Sequence, residues 1–433
     1  MPPARRALYA FGTFGSSLLQ QVVLLWLFYY YAPPPSQGLP VLVAPALLGI
    51  AMGIGRFVDA AVDPLVASWS DRHRGPGGRR RPFILVGAPL LALVFALIWR
   101  PPDASATTAN FIYLSALLGL FFLLFTLVLN PYMALLPEVT RPGRDRVTTA
   151  AWQTIFNLAG SAVAFVASAQ LAARLGFPLM GLIVAPFGAL PLLTASLAVR
   201  EHPVDGERVP FRVALRLVFG SRRFRIFITG FAALWMGLSM VNLSLALIVT
   251  VLMGLPRGAV GTVLGVSVMA TLLTTPLVTA AAHRLGTHRA LVLAMGAAGV
   301  LLPLLAGVGR WPVPVSPAVQ GYAVMALAGP PLAALFTLPN TLLADIAQTV
   351  GDGRRIEGMF FAFQGLVLNG ATSLASVVLG GVLAAFGYDL GLRVVPLLAA
   401  GCVAAGIAVF RRFPSDAGVR PRARRRPRDA RSR

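Results

Sequence analysis

The sequence G-R-F-V-D-A-A-V-D-P-L-V-A-S-W-S-D-R-H-R-G-P-G-G-R-R-R-P-F-I-L, residues 55–85, decides the fold assignment. Its first part continues an apolar segment that begins near Val41, so Arg56, Asp59 and Asp63 are predicted inside a membrane span. Spacings of three and four residues place these side chains on one helical face. An ionised carboxylate in the bilayer costs at least roughly 2.5 to 3.5 kcal/mol, so a pair of them indicates a functional site.

Two carboxylates one helical turn apart, completed by a hydroxyl or carbonyl oxygen of a neighbouring helix, make a small cage of hard oxygen ligands. Such a cage suits a monovalent cation, namely Na⁺, Li⁺ or H⁺. The structural alternative is that Arg56 neutralises one aspartate as a buried ion pair while the other is protonated. Because Asp59 and Asp63 are the only two of 15 acidic residues placed deep in a span, we favour the cation site.

The composition identifies the class of protein. Of 433 residues, 57% are hydrophobic and 12% are charged, which is typical of a polytopic membrane protein. Windows of about 20 residues predict twelve transmembrane helices and therefore an all-α fold. A single cysteine, Cys402, excludes an internal disulfide and a cluster of cysteine metal ligands.

The basic residues are all arginines, and they cluster on one side of the predicted spans. This arginine-rich side holds both termini, whereas single arginines stand on the arginine-poor side. By the positive-inside rule we expect a multi-pass protein of the cytoplasmic (inner) membrane with both termini in the cytoplasm. The basic tail, residues 413–433, is interpreted as a cytoplasmic anchor that touches anionic lipid, with a regulatory or nucleic-acid-binding arm as the alternative.

The chain divides into two halves of six spans. We predict an N-terminal bundle at 1–199, a cytoplasmic linker at 200–223 and a C-terminal bundle at 224–412. The halves resemble each other, since D-P-L-V at Asp63 corresponds to T-P-L-V at Thr275. Parallel halves with a central linker are typical of the major facilitator fold, in which the halves rock around a central site. Because the aspartate is not repeated, it indicates function rather than architecture.

The short loops on the arginine-rich side are predicted to form a cytoplasmic gate, whose ion pairs break as the halves rock. Glycines that set a tight turn flank the arginines of loop 70–82. The alternative is ordinary positive-inside charge. The predicted gate residues are Asp71, Arg79, Arg80, Arg81, Glu138, Asp345, Arg354 and Arg355, with Asp145 as a further partner.

Enzyme chemistry is not indicated by the sequence. All four histidines fall in predicted loops, and we find no nucleophile–base pair, metal-ligand spacing or phosphate-binding loop. We therefore expect neither an enzyme nor an ATP-driven pump, and no cofactor other than Na⁺ or H⁺ as the coupling ion.

Three motifs follow one another over nearly the whole chain: R-x-x-D-x-x-x-D-P from Arg56, P-Y-M-A-L-L-P-E from Pro131, and D-x-x-x-x-x-x-D-G-R-R-x-E-G-M-F from Asp345. With these motifs the sequence resembles the glycoside-pentoside-hexuronide:cation symporter family of the major facilitator superfamily. The resemblance implies a twelve-helix fold and coupling to Na⁺, Li⁺ or H⁺.

The resemblance also implies roles for particular residues. It places Asp59 and Asp63 on the paired cation carboxylates of the family, and Thr126 on a threonine that assists the cation. The charged sugar-binding positions of the family are not kept, because this chain has Ser17, Gln153 and Asn369 there and contains no lysine. Charged bidentate partners for sugar hydroxyls are thus lost, which argues against galactosides as substrates.

The residues left to line a cavity between the halves are neutral or aromatic, which suits an uncharged sugar or glycoside and also amphipathic solutes. The predicted cavity residues are Ser17, Gln21, Trp26, Asn130, Tyr132, Trp152, Gln153, Trp235, Asn340, Gln364 and Asn369.

We interpret the chain as a secondary active transporter that moves a small organic solute together with Na⁺ or H⁺ by alternating access. A sugar or glycoside is the first choice of solute. The alternatives are a cation-coupled transporter of lysolipids or other amphiphiles and a drug-efflux antiporter. We expect a monomer whose partners are the solute, the cation and membrane lipid, without nucleic acid.

Overall fold

The computed structural model describes residues 3–73, 78–136, 140, 144–199, 201, 218–351 and 357–413. Their regular structure is almost entirely helical, which confirms the all-α assignment. A 3₁₀ turn, Pro35–Gln37, follows the first helix. The N-terminal half contains α1 (Pro3–Tyr31), α2 (Pro45–Arg72), α3 (Arg81–Ile98), α4 (Thr108–Ala134), α5 (Arg144–Leu175) and α6 (Phe177–Ala198).

The C-terminal half contains α7 (Arg222–Val251), α8 (Ala259–Leu285), α9 (Thr287–Ala306), α10 (Pro317–Leu327), α11 (Gly329–Gly351) and α12 (Glu357–Phe410). Helices α10 and α11 together form one span. Gly387 has a left-handed φ of 69° inside α12, a conformation that glycine adopts without steric cost. Among the described residues, eleven helices are long and apolar enough to cross a membrane. The division of α12 at Gly387 gives the twelve predicted spans.

Polar caps and prolines fix where several helices begin. Thr107, Ser221 and Ser316 precede α4, α7 and α10, and each hydroxyl accepts a hydrogen bond from the backbone N–H three residues further on. Proline stands in the first turn of α2 and of α3, where its missing N–H would have no helical partner in any case. These local signals set where the helices begin, while α3 and α4 continue through an internal proline, Pro89 and Pro131.

Small residues let α2 and α12 pack closely near the arginine-poor side. A Cβ atom at Gly49 would lie 2.5 Å from the carbonyl oxygen of Ser376, so a larger residue does not fit there. Ser373 donates a hydrogen bond to the carbonyl oxygen of Gly53 at 3.0 Å, and Ser376 donates to that of Gly49 at 3.1 Å. This contact joins the two halves of the molecule.

Two further hydrogen bonds join the halves on the same side. The Tyr388 hydroxyl donates to the carbonyl oxygen of Ala32 at 2.7 Å, and Gln170 Nε2 donates to that of Gly258 at 3.1 Å. A buried apolar cluster extends across both halves here, whereas the C-terminal helices pack into a separate cluster toward the arginine-rich side. The two halves are therefore closed against each other on the arginine-poor side.

Candidate functional site

Helices α2 and α4 lie side by side, and their polar side chains pair in register. Thr126 Oγ1 donates a hydrogen bond to Asp59 Oδ1, and one turn further Asn130 Nδ2 donates to Asp63 Oδ1 at 3.1 Å. Both pairs are separated by 67 residues, so the carboxylates face α4 at successive turns of two helices that run in the same direction. We call these four residues the polar ladder.

Arg56 lies beside the polar ladder with 2% of its side chain exposed. Its Nη1 is 3.5 Å from Asp59 Oδ2 and donates, also at 3.5 Å, to Asn369 Oδ1 on α12. The guanidinium carbon lies 4.3 Å from the ring centroid of Phe122, which is a favourable cation–π geometry. Its Nε has no hydrogen-bond partner among the described residues. The arginine thus connects the ladder to the opposite half without being fully paired itself.

The polar ladder offers carboxylate, hydroxyl and amide oxygens at a buried position, with Asp59 only 5% exposed. Hard oxygen ligands of this kind suit small alkali cations and protons. When both carboxylates are ionised, the ladder and Arg56 together have one net negative charge, which a single monovalent cation neutralises. In the described part of the chain, no group of three or more His, Cys, Asp or Glu side chains is placed to hold a metal ion.

The C-terminal half contains a crevice of about 180 Å³ between α7, α11 and α12. Three of the predicted cavity residues line it, namely Trp235, Asn340 and Gln364, and so do three phenylalanines, Phe231, Phe336 and Phe361. Gln364 Nε2 donates a hydrogen bond to Asn340 Oδ1 at 3.1 Å. We call this site the C-terminal crevice. It combines aromatic faces with one pair of amides.

The structure places four other predicted cavity residues inside the packing of the N-terminal half and not on the crevice surface. Each is buried and hydrogen-bonded to a neighbouring helix: Ser17, Trp26, Tyr132 and Gln153. For example, Trp26 Nε1 donates to Ser168 Oγ at 2.7 Å, which fixes α1 against α5. A polar atom whose hydrogen-bond partner lies on a neighbouring helix contributes to the packing of the two helices in this conformation.

The remaining predicted cavity residues lie in three different environments. Asn130 is part of the polar ladder and Asn369 accepts a hydrogen bond from Arg56, so both lie at the candidate cation site. Trp152 is 42% exposed and stacks on Phe156. Gln21 is half-buried on α1, and its Oε1 has no partner among the described residues.

The arginines that were predicted to form a gate are tied to their own half. The backbone N–H groups of Arg79, Arg80 and Arg81 donate to the carboxylate of Glu201 at 2.6, 2.9 and 2.7 Å. The side chain of Arg80 donates to a carbonyl oxygen at the end of α4, and Arg81 Nε donates at 3.0 Å to one at the end of α6. These contacts hold the loop before α3 to the helices of the N-terminal half.

The predicted partner of these arginines, Asp145, pairs instead with Arg6 at 2.9 Å, because α1 and α5 lie side by side. Asp345 is exposed on α11. Three other predicted gate residues, Glu138, Arg354 and Arg355, lie outside the described residues, as does the side chain of Asp71.

Sequence reasoning missed Phe122 beneath Arg56 and Glu201 beside the arginine loop. It also missed the phenylalanines of the crevice, although a signal was present. Phe231 and Trp235 are four residues apart and stack at 5.7 Å between ring centroids, and Phe361 precedes Gln364 by three residues. Aromatic and amide residues at helical spacing therefore marked one face of α7 and one face of α12.

Comparison with known proteins gives a match over almost the whole chain. A family model described as MFS/sugar transport protein matches residues 8–410. In overall structure the chain is similar to a mutant of the nucleoside transporter NupG, with a TM-score of 0.73 over 94% of this chain and 99% of the other. The two sequences are 15% identical, so this likeness concerns the fold alone.

Three relatives in sequence are named symporters. An uncharacterised symporter of Synechocystis is 31% identical over 170 residues, which is 37% of this chain and 31% of that protein. A protein of Escherichia coli provisionally named the glycoside/cation symporter YagG is 29% identical over 42% of each chain. The mouse sodium-dependent lysophosphatidylcholine symporter 1 is 25% identical over 350 residues, which is 70% of this chain and 63% of the mouse protein. In each case less than two thirds of the relative is covered.

Proposed function

Because this chain belongs to the family of MFS/sugar transport proteins, we propose that it is a cation-coupled symporter of a small organic solute. Membership of this transporter family confirms the resemblance drawn from the motifs, and it identifies a transporter and not an enzyme. In our proposal, Asp59 and Asp63 bind one monovalent cation, and the solute binds between the halves.

One observation supports the cation site above all: the pairing of two intramembrane carboxylates with Thr126 and Asn130 on the adjacent helix. Buried carboxylates cost free energy in a bilayer, and among the described residues Arg56 is the fixed positive charge that pairs with Asp59. A bound Na⁺, Li⁺ or proton neutralises the remaining charge. Without it the closed, dehydrated states of the carrier are unfavourable, and this couples the cation to the movement of the halves.

Two opposite faces of α12 give a route for coupling to the solute. Gln364 and Leu368 line the C-terminal crevice, the next residue, Asn369, accepts the hydrogen bond from Arg56, and Ser373 closes the arginine-poor side. Occupation of the crevice and of the polar ladder therefore acts on one rigid element. A cation that favours the solute-binding arrangement raises the affinity of the protein for the solute. By linkage, the solute raises the affinity for the cation by the same factor.

We take an uncharged glycoside as the first candidate solute, in line with the name of the bacterial relative and with the amide pair in the crevice. A second candidate is a lysolipid or a similar amphiphile. It is favoured by the alignment with the mouse lysophosphatidylcholine symporter over 70% of this chain and by the apolar lining of the crevice. We further propose a location in the cytoplasmic membrane with the arginine-rich side in the cytoplasm.

The test uses purified full-length protein in lipid nanodiscs and requires no knowledge of the solute. Thermal unfolding is measured in Na⁺, Li⁺ or choline at one ionic strength, and proton uptake is measured with a pH indicator. A cation at about 100 times its Kd stabilises the folded state by roughly 2.7 kcal/mol. We expect such a response in the wild type and its loss in Asp59→Asn. The matched control is Asp389→Asn, which changes an exposed carboxylate.

Retention of the cation response in Asp59→Asn would contradict the proposed site. A wild-type protein that responds to neither alkali cations nor protons would contradict cation coupling itself. Loss of the response in Asp389→Asn as well would mean that the assay reports general surface charge.

A further inference from the structure

We propose that the C-terminal crevice binds a ring-sized apolar group of the solute, such as the aryl aglycone of a glycoside, and that the amide pair contacts the uncharged polar part. This inference rests on the proposed symport function and names the class of solute: an uncharged amphiphile with one small apolar ring. It assigns the sugar-like part of the solute to the space outside the crevice.

The aromatic side chains are arranged to surround a ring. Phe231 stacks on Trp235 with ring centroids 5.7 Å apart, and Phe336 meets the same tryptophan edge-on at 5.9 Å. Phe361 on α12 lines the crevice together with them. Edge-to-face and offset contacts at 4.5 to 7 Å are roughly the distances at which aromatic rings attract one another. A planar ring of the solute can therefore contact both faces and edges of these aromatic side chains.

The volume sets the size of the guest. The crevice measures about 180 Å³. An apolar protein cavity of about 150 Å³ is known to hold one benzene molecule. One six-membered ring with its first substituent therefore fits, whereas a disaccharide or a long acyl chain exceeds the space.

The polar groups of the crevice are too few for a sugar ring. Asn340 Nδ2 donates to the carbonyl oxygen of Phe336 at 3.4 Å, and Asn340 Oδ1 accepts from Gln364. Each amide nitrogen then retains one further N–H donor, and Gln364 Oε1 is a free acceptor among the described residues. A buried hydroxyl without a partner costs roughly 1 to 3 kcal/mol, so a pyranose with several hydroxyls is disfavoured inside. A guest with one hydroxyl or ether group beside its apolar ring matches the amide pair of the crevice.

The surrounding charge favours a neutral guest. Aromatic walls also attract ammonium groups, but of the described residues that line the crevice none is charged. A cationic headgroup would therefore find no carboxylate among the described residues of the lining.

Two glycines on α12 provide a matched test. A Cβ at Gly365, which lines the crevice, would meet no atom within 4 Å, and the same holds for Gly370, which is exposed and does not line it. Gly365→Leu therefore fills the crevice without a clash, and Gly370→Leu is the control on the same helix. Binding of phenyl β-D-glucoside and of methyl β-D-glucoside is measured by equilibrium dialysis on protein in nanodiscs.

We expect the wild type to bind the phenyl glucoside roughly 10- to 100-fold more tightly, which is the gain from burying one aromatic ring. Gly365→Leu abolishes this preference, and Gly370→Leu keeps it. Equal affinities in the wild type, no binding of either glucoside, or a ring preference that survives Gly365→Leu would overturn the proposal. Displacement by lysophosphatidylcholine without any binding of phenyl glucoside would assign the crevice to an acyl chain and would also overturn it.

The same measurement in Asp59→Asn separates this inference from the symport function. In Asp59→Asn the preference for the phenyl glucoside is expected to persist, because it depends on the crevice. The cation dependence of the glucoside affinity is expected to be lost. A wild type whose affinity depends on the cation but is equal for the two glucosides would contradict the crevice proposal alone.

Discussion

The two halves have related sequences but use them differently. In the N-terminal half, Asp63 of the D-P-L-V motif accepts a hydrogen bond from Asn130 on the adjacent helix. In the C-terminal half, Thr275 of the T-P-L-V motif donates to the carbonyl oxygen of Thr271 in its own helix at 2.7 Å. The carboxylate of Asp63 is available for a ligand, whereas the hydroxyl of Thr275 is hydrogen-bonded within its own helix. Duplication thus preserves the shape of a half while its chemistry changes.

The same division holds for the deeper side chains. The N-terminal half contributes Arg56 and the polar ladder, which are charged and hydrogen-bonded across α2 and α4. The C-terminal half contributes an uncharged crevice with aromatic walls. Under the proposed function, the cation is bound by the N-terminal half and the C-terminal half provides the crevice for part of the solute, so coupling passes through the helices at their boundary.

The largest effect is expected from making the N-terminal motif resemble its C-terminal copy. Asp63→Thr removes one of two carboxylates and leaves too little negative charge to offset the dehydration of a cation. We expect complete loss of the cation-dependent rise in unfolding temperature. Thr275→Asp, the reciprocal change, is expected to add no second response, because the Thr275 side chain bonds within its own helix. A second cation response in Thr275→Asp would contradict the asymmetry between the halves.

A large conformational effect is expected where the halves meet. Gly49→Leu places a side chain against the Ser376 carbonyl and prevents closure on the arginine-poor side. In a Cys402→Ser background, spin labels at the exposed residues Ser36 and Val315 report the separation across this side. We expect a longer distance to become the main population.

The control for this experiment is Gly296→Leu in α9, where a Cβ meets no atom within 4 Å. It is expected to leave the distance distribution unchanged. An unchanged distribution in Gly49→Leu would show that the halves close by another contact.

An intermediate effect is expected on the cation site. Thr126→Val removes the hydroxyl that bonds Asp59 while keeping the shape of the side chain. Hydrogen bonds to charged groups contribute roughly 1.5 to 3 kcal/mol, so cation affinity should fall about 10- to 150-fold. Thr126→Ser restores the hydroxyl and should restore most of the affinity. Isothermal titration with Na⁺ or Li⁺ measures both variants, and equal affinities in the two would remove Thr126 from the site.

The smallest effect is expected at the arginine loop. Glu201→Gln weakens three hydrogen bonds from the backbone of residues 79–81, and it should lower the stability by about 1 kcal/mol. Chemical denaturation in nanodiscs measures this loss. The cation response is expected to stay intact, because the loop is tied to its own half. A change in that response would support the predicted role of the loop in a gate.

The fold and the position of two aspartates inside a span were predictable because their signals are local. Long apolar segments report membrane spans, and two aspartates on one helical face are visible without any partner. Asn130 was predicted as a cavity residue, because its role depends on the register of α4 against α2. That register is a tertiary property. The register follows from packing such as that of Phe122, since a Cβ on Gly55 would lie 2.8 Å from that ring.

The cavity was less predictable, because an aromatic or polar residue in a membrane helix has two possible uses. Trp26 and Trp235 look alike in sequence, yet the first is fully buried against Ser168 and the second lines the crevice. The gate formed by the arginine loop stays a prediction, and the contact of this loop with Glu201 was not predictable because Glu201 lies more than 100 residues away. Long-range partners of this kind are set by how the helices assemble.

Closure on the arginine-poor side has a consequence for the environments in which the carrier works. The four hydrogen bonds described there, from Ser373, Ser376, Tyr388 and Gln170, all join neutral groups to backbone carbonyls. Exposed ion pairs weaken as salinity rises, since the Debye length shortens from about 10 Å at 0.1 M to 3 Å at 1 M salt. Neutral bonds between packed helices are not screened in this way. Contacts of this composition are equally strong at low and at high salt concentration. This property suits a side of the protein that faces a medium whose salt content the cell does not control.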